Sequence, residues 1–178
     1  MTAFPERIET ERLVATRCDA EGELDAFAPL FADEAIARTM WPAHLGGPRT
    51  REQTYAWLAR YDAHWEAHGF GPWTVRERDG EQIVGHVGLS YTVVAGRAEV
   101  EAGFILAPDR WGRGYAAEVT TSALAHAHAI RGLESVVAFA MPDLNPRAVA
   151  TIERCGFAYE GETTVVELPH RLYRIAVS

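Results

Sequence analysis

The stretch APDRWGRGYAAEVTTSALAHA, residues 107–127, constrains the fold more than any other part of the chain. The apolar run AEVEAGFIL ends at 106, Gly112 and Gly114 flank Arg113, and no acidic side chain follows until Glu118. Ala116, Val119, Ala123, Ala127 and Ile130 then recur as one apolar helical stripe. A strand must therefore hand over to a helix through bare backbone. The buried stripe fixes the first turn, whose free N–H groups carry the positive end of the helix dipole, about +0.5 of an elementary charge. Glycines there keep side chains away and permit positive φ. Such a turn is either a tight connection or a seat for an anion such as phosphate.

The surrounding patterns place this turn within an alternating α and β chain. TERLVATR (10–17) reads as a first strand. Asp19 is positioned to cap a helix carrying Leu24, Phe27, Leu30 and Phe31, and residues 40–48, with two prolines and two glycines, read as a loop. Thr50 and Gln53 form a capping box for a second helix closed by Gly69. WTVRER, EQIVGHVGLSYTVV and AEVEAGFIL follow as an antiparallel meander with turns at Asp79-Gly80 and Ala95-Gly96-Arg97. After the helix of the opening stretch, Gly132 stops the pattern and ESVVAFAM reads as a buried strand. Asn145 as N-cap and Pro146 at the first helical position open a helix that runs to Arg154. TTVVEL and RLYRIAV supply the last strands. The 178 residues are expected to form one α/β domain spanning 1–178 with a mixed sheet.

Composition narrows the function classes. A net charge of −8 argues against nucleic acid as a partner, and 48% apolar residues suit a globular core. The first residues hold no apolar stretch of signal-peptide length and no later run approaches a membrane span, so a cytoplasmic location without membrane association is expected. Cys18 and Cys155 show no metal-like spacing, and His64 and His68 in HWEAH lack the HExxH arrangement and a third ligand, so no metal is expected. GxxxxGK[ST] is absent, and a dinucleotide fingerprint would not follow an antiparallel meander.

EAGFILAPDRWGRGYAAEV followed by NPRAVATIERCGFAYEG (145–161) resembles the two signature motifs of the GNAT superfamily of N-acetyltransferases. With TERLVATR and Trp111, the closer likeness is to its RimJ/RimL-like branch. The resemblance implies a mixed, mostly antiparallel sheet with a splayed central strand pair flanked by helices. It implies acetyl-CoA as co-substrate, its diphosphate on the amides of Arg113, Gly114, Tyr115 and Ala116, its pantetheine along the strand edge at Ile105 and Leu106, and contact with Asn145. The implied reaction is direct attack by a primary amine, on a peptide or a small molecule, within a ternary complex. The implied assembly is a monomer or homodimer.

For the base, the resemblance points to Glu101, with Glu99 on the same strand face and His86 on the neighbouring strand as rivals. A backbone N–H near Phe104 or Ile105 is expected to face the developing oxyanion. The chain departs from the family where a leaving-group acid is usual: Ile152 and Ala148 occupy those positions, and Tyr159 substitutes only if the chain folds back toward the thioester. A non-catalytic CoA or acyl-CoA sensor is therefore the alternative. Glu118 near the helix start reads as dipole compensation or loop anchoring. Trp41-Pro42 lies in the loop that the resemblance puts over the acceptor, so Trp41 is either core or a substrate wall.

Overall fold

The computed structural model describes residues 3–177. Among the described residues eight strands form one sheet: β1 (Arg7–Glu9), β2 (Leu13–Arg17), β3 (Pro72–Glu77), β4 (Ile83–Val94), β5 (Arg97–Leu106), β6 (Ser135–Ala140), β7 (Ala158–Val165) and β8 (Leu168–Ala176). Their spatial order is β1-β2-β3-β4-β5-β6-β8-β7, and every neighbouring pair is antiparallel except β5 and β6. Helices α1 (Leu24–Phe31), α2 (Glu34–Met40) and α3 (Arg51–His68) fill the first crossover; α4 (Tyr115–His126) and α5 (Pro146–Arg154) follow the meander. This is the mixed, mostly antiparallel α/β architecture expected of the GNAT fold.

Two cores sandwich the sheet. Val119 and Ala123 of α4 and Ala148 and Ile152 of α5 pack with Leu89, Val100 and Ala102 on one side. On the other, Phe27, Phe31, Ile36 and Leu58 from α1–α3, with Trp41 just past the end of α2, close over Ile105 and Cys18. Strand alternation makes this possible, because Val100 and Ala102 alternate along β5 with Glu99, Glu101 and Ile105.

Local signals worked where their chemistry was complete. Thr50 Oγ1 accepts from Gln53 N and the Gln53 side chain accepts from Thr50 N, closing the expected box. Val94 pairs with Arg97 around Ala95 and Gly96, both at positive φ, which makes the tight hairpin turn. Other expectations need correction. Asp19 does not cap α1: its carboxylate accepts from Glu21 N and Gly22 N, folding a turn ahead of the helix, whose N-cap is Glu23. Strand β1 and helix α2 are additional, the latter capped by Asp33 through Ala35 N. The final hairpin begins at Ala158 and turns at Val166-Glu167, inside the segment read as one strand.

Candidate active site

The sheet opens between β5 and β6. Glu101 and Val137 form the one ladder pair joining them among the described residues, and the strands then diverge. Ala107 N–H donates to Val84 O (2.8 Å), and the Ile105 carbonyl is turned toward Gly85, so these groups face β4. By alternation the peptide groups of Phe104 and Leu106 face the opening. Of the two oxyanion donors expected, Phe104 is therefore the one the backbone directs there. Trp111 Nε1 takes the Leu106 carbonyl at 2.8 Å, tying the loop to the strand end.

The opening leads into a cleft of about 230 Å³ lined by Phe104, Leu106, Trp111, Gly114, Ala116 and Asn145, among others. At its end α4 begins on Gly114, in the left-handed conformation (φ 80°), with no side chain capping the helix. A methyl group on Gly114 would lie 3.6 Å from Arg12 Nη2 and 3.7 Å from Arg154 Nη1. The bare turn thus sits between two guanidinium groups, which reinforce the dipole. Tyr115 turns its side chain away, donating to Glu77 Oε1 (2.8 Å) beneath the Arg12 guanidinium, and leaves its main chain at the cleft. Its proton holds the Glu77 carboxyl below the usual carboxylate range, with Arg110 and Arg113 adding to the effect.

Glu118 accounts for the rigidity of this turn. It accepts from Thr10 Oγ1 (2.5 Å), Arg12 N (2.9 Å) and Arg12 Nε (2.7 Å), while Arg12 Nη1 donates to the Arg113 carbonyl (2.8 Å). Burial pushes its carboxyl up, but these donors outweigh burial and hold it below the ordinary range. Glu118 therefore anchors the β1–β2 turn to α4.

The three candidate bases have different surroundings. Glu99 is gripped by Arg174 (Nη1 to Oε2 3.0 Å, Nη2 to Oε1 3.1 Å), and that bond holds its carboxyl below the usual range. His86 is buried beneath Phe27, Phe31 and Tyr61, and burial lowers its imidazole to about 3. Glu101 has no cationic partner among the described residues, and burial raises its carboxyl to about 7, against a lowering hydrogen bond from Thr92. Only Glu101 has a basicity matched to neutral pH.

Asn145 caps α5, its Oδ1 accepting from Ala148 N (3.1 Å), and lines the cleft. Ile152 and Ala148 are buried in the main core and offer no proton. Tyr159 lies on edge strand β7, its hydroxyl bonded to Glu162 (2.9 Å), and does not fold back toward the splay. Trp41 is 4% exposed, against Phe31 and Trp57, so it is core; Ile36, Thr39 and Met40 of α2 line the cleft instead. His64 spends both ring nitrogens within the protein, on the Phe70 carbonyl (2.7 Å) and Tyr91 N–H (2.9 Å).

The cleft also gathers residues that the sequence reading passed over. Arg110, Arg147, Thr151 and Arg154 line it, with Arg147 over the Trp111 ring at 5.5 Å. Arg147 and Arg154 stand seven residues apart on α5, a spacing that puts both on one helix face and was a readable signal.

The model of the acetyltransferase (GNAT) domain matches residues 12–158. A Bacillus subtilis (strain 168) protein called uncharacterized N-acetyltransferase YoaA is 21% identical over 154 residues, which are 86% of this chain and 84% of that protein. The crystal structure of an acetyltransferase from Agrobacterium tumefaciens shares the fold at a TM-score of 0.78 and 23% identity, covering 98% of this chain and 96% of that one. RimL, a ribosomal L7/L12 alpha-N-protein acetyltransferase solved with coenzyme A, superposes at a TM-score of 0.74 and 16% identity, covering 99% and 98% of the two chains. The chain belongs to the GNAT family of acetyltransferases.

Proposed function

We propose that the protein transfers an acetyl group from acetyl-CoA to a primary amine by direct attack in a ternary complex, with Glu101 as general base. We place it in the RimJ/RimL-like branch, and we read residues 1–178 as a single catalytic domain. The observation that carries this reading is one opening with a proton acceptor at its apex and an uncapped, arginine-flanked helix N-terminus at its mouth.

The residues fit the cofactor. Its diphosphate would rest on the amides of Arg113, Gly114, Tyr115 and Ala116, where Gly114 leaves room and Arg12 and Arg154 supply charge. Its pantetheine would run along β5 at Ile105 and Leu106, where the Phe104 peptide groups and the Leu106 N–H, turned from the ladder, pair with an added strand-like partner while Ile105 itself bonds to β4, with Asn145 across the cleft. That RimL was solved with coenzyme A supports this choice. Bound acetyl-CoA supplies the activated acyl group and a thiol leaving group.

The chain's own residues would do the rest. An α-amine of pKa near 7.8 costs about 1 kcal/mol to deprotonate at pH 7, and a lysine-like amine about 4.6 kcal/mol. Glu101 takes that proton, and the Phe104 N–H donates to the carbonyl oxygen as charge develops on it. A thiol of pKa about 8.5 leaves adequately without an acid. The buried, apolar Ile152 and Ala148 nevertheless favour a second reading, a CoA-responsive module without turnover.

Thiol release from acetyl-CoA across an amine panel, with mass detection of acetylated product, separates the two. We expect turnover with at least one amine, and a fall in kcat/KM of roughly 100-fold or more in Glu101→Gln. Full activity in that variant from about pH 6 to about pH 9 rules out the base. Binding of CoA without any thiol release selects the sensor.

A further inference from the structure

Gly103 is the one strand residue here whose missing side chain the protein itself does not explain. Other glycines of this region have packing reasons. A methyl group on Gly85 would stand 2.1 Å from the Ile105 carbonyl oxygen, one on Gly88 2.5 Å from Pro72 Cα, and one on Gly71 2.6 Å from the Trp65 ring. Gly103 is not among the positive-φ residues, and its added methyl would meet a single atom within 4 Å, Glu101 Oε1 at 4.0 Å. Glycine in a strand interior costs stability relative to alanine, and such positions mark close approach of a backbone or a ligand. Among the described residues no backbone atom beyond Gly103 and its chain neighbours comes within 4 Å of that methyl position.

The open space adjoins the carboxylate and lies on its strand face, between Glu101 and Ile105. Across the opening, β6 turns Val137, the ladder partner of Glu101, and then Phe139 to the same side, where both pack with Leu172. The wall facing Gly103 is therefore apolar. An amine about 3 Å from the Glu101 carboxylate puts its own carbon, about 1.5 Å further on, beside this vacancy. Whatever hangs from the amine-bearing carbon then occupies the place of a Gly103 side chain.

We infer that Gly103 is a specificity-determining residue that admits primary amines whose amine-bearing carbon carries an apolar substituent. Branched acceptors, such as a peptide N-terminus with a side chain, use the space; acceptors ending in an unbranched CH2–NH2 leave it empty. This rests on the acetyl-transfer reading above.

The test compares the full-length protein with Gly103→Ala on matched amines, glycinamide against alaninamide and n-butylamine against sec-butylamine. Thiol release is followed at saturating acetyl-CoA. The variant is expected to lower the branched-over-unbranched ratio of kcat/KM by roughly 10- to 200-fold, the range for one methyl group in a close pocket. The KM for acetyl-CoA stays unchanged and the melting temperature does not fall. An unaltered ratio overturns the inference. So does a shift confined to the KM for acetyl-CoA or to preference between acetyl-CoA and propionyl-CoA, which gives the space to the cofactor. Loss of folding in the variant contradicts the open space itself. If the unsubstituted protein releases no thiol with any amine, the transferase reading fails and the inference falls with it; turnover with an unchanged ratio sinks the inference alone.

Discussion

Glu101 and Glu99 stand two residues apart on one face of β5, and their neighbours give them opposite ionisation behaviour. Arg174 keeps Glu99 charged, whereas Glu101 is desolvated without a cation and rises to about 7 from an ordinary 4.5. A raised carboxyl means that the native state holds the proton more tightly than the unfolded chain. The stability this contributes is complete below the unfolded pKa and lost as pH rises through about 7. Its size is on the order of 3 kcal/mol. His86, lowered to about 3, works in the other direction: its contribution is present above the unfolded histidine value and lost as pH falls. Thermal melts of the protein and of Glu101→Gln isolate the first effect, because His86 is common to both. The variant should gain on the parent between about pH 4.5 and about pH 7, with the difference flat above that. A pH-independent difference would show that Glu101 titrates normally. Sequence alone placed Glu101 and Glu99 on the same face, but the arginine that tells them apart comes from 75 positions away along the chain.

At the scale of elements, the β7–β8 hairpin is built against local preference. Val166 and Glu167 both adopt positive φ (46° and 63°), where a β-branched residue is poorly accommodated. Replacing the pair by Asn-Gly, through Val166→Asn and Glu167→Gly, should stabilise the fold by about 1–2 kcal/mol in denaturant melts. A neutral or destabilising result would indicate that the turn conformation is not the one described. This turn also shows why sequence reading succeeded in some places and not others. Asp79-Gly80 and Ala95-Gly96 each carry a residue that announces reversal, and both turns were legible; Val166-Glu167 carries none. The cap of α3 was likewise visible because its Thr and Gln act on each other within three residues. Asp19 misled for a related reason. Its carboxylate satisfies a turn three residues long rather than the helix that follows. Strand β1 is three residues long and paired only with β2, too short for an alternating pattern to stand out.

For the molecule as a whole, cofactor binding should appear as stability. A ligand that binds only the native state at 100 times its Kd adds about 2.7 kcal/mol. CoA is therefore expected to raise the melting temperature by several degrees, roughly 5–10 °C for a chain of this size. Gly114→Arg should remove most of that rise, since its side chain would enter the space between Arg12 and Arg154. An undiminished shift in that variant would move the diphosphate elsewhere. Main-chain parts of the site were readable because glycines, an Asn-Pro start and an amphipathic stripe specify backbone directly. The shared face of Arg147 and Arg154 was readable from their spacing, but its turning toward the cleft, the approach of Arg12 and the burial of Ile152 were not, because they depend on which helix face meets the sheet.

Among the described residues one rung, Glu101 to Val137, joins the two halves of the sheet. On its far side Arg174 of β8 reaches past β6 to Glu99 of β5, bonding Ser135 on the way. The halves are thus jaws on a pivot, clamped at the handle end. Glu101 sits at the fulcrum, where a change of jaw angle displaces atoms least. A molecule that spread the mouth would therefore displace Glu101 less than residues further along β5.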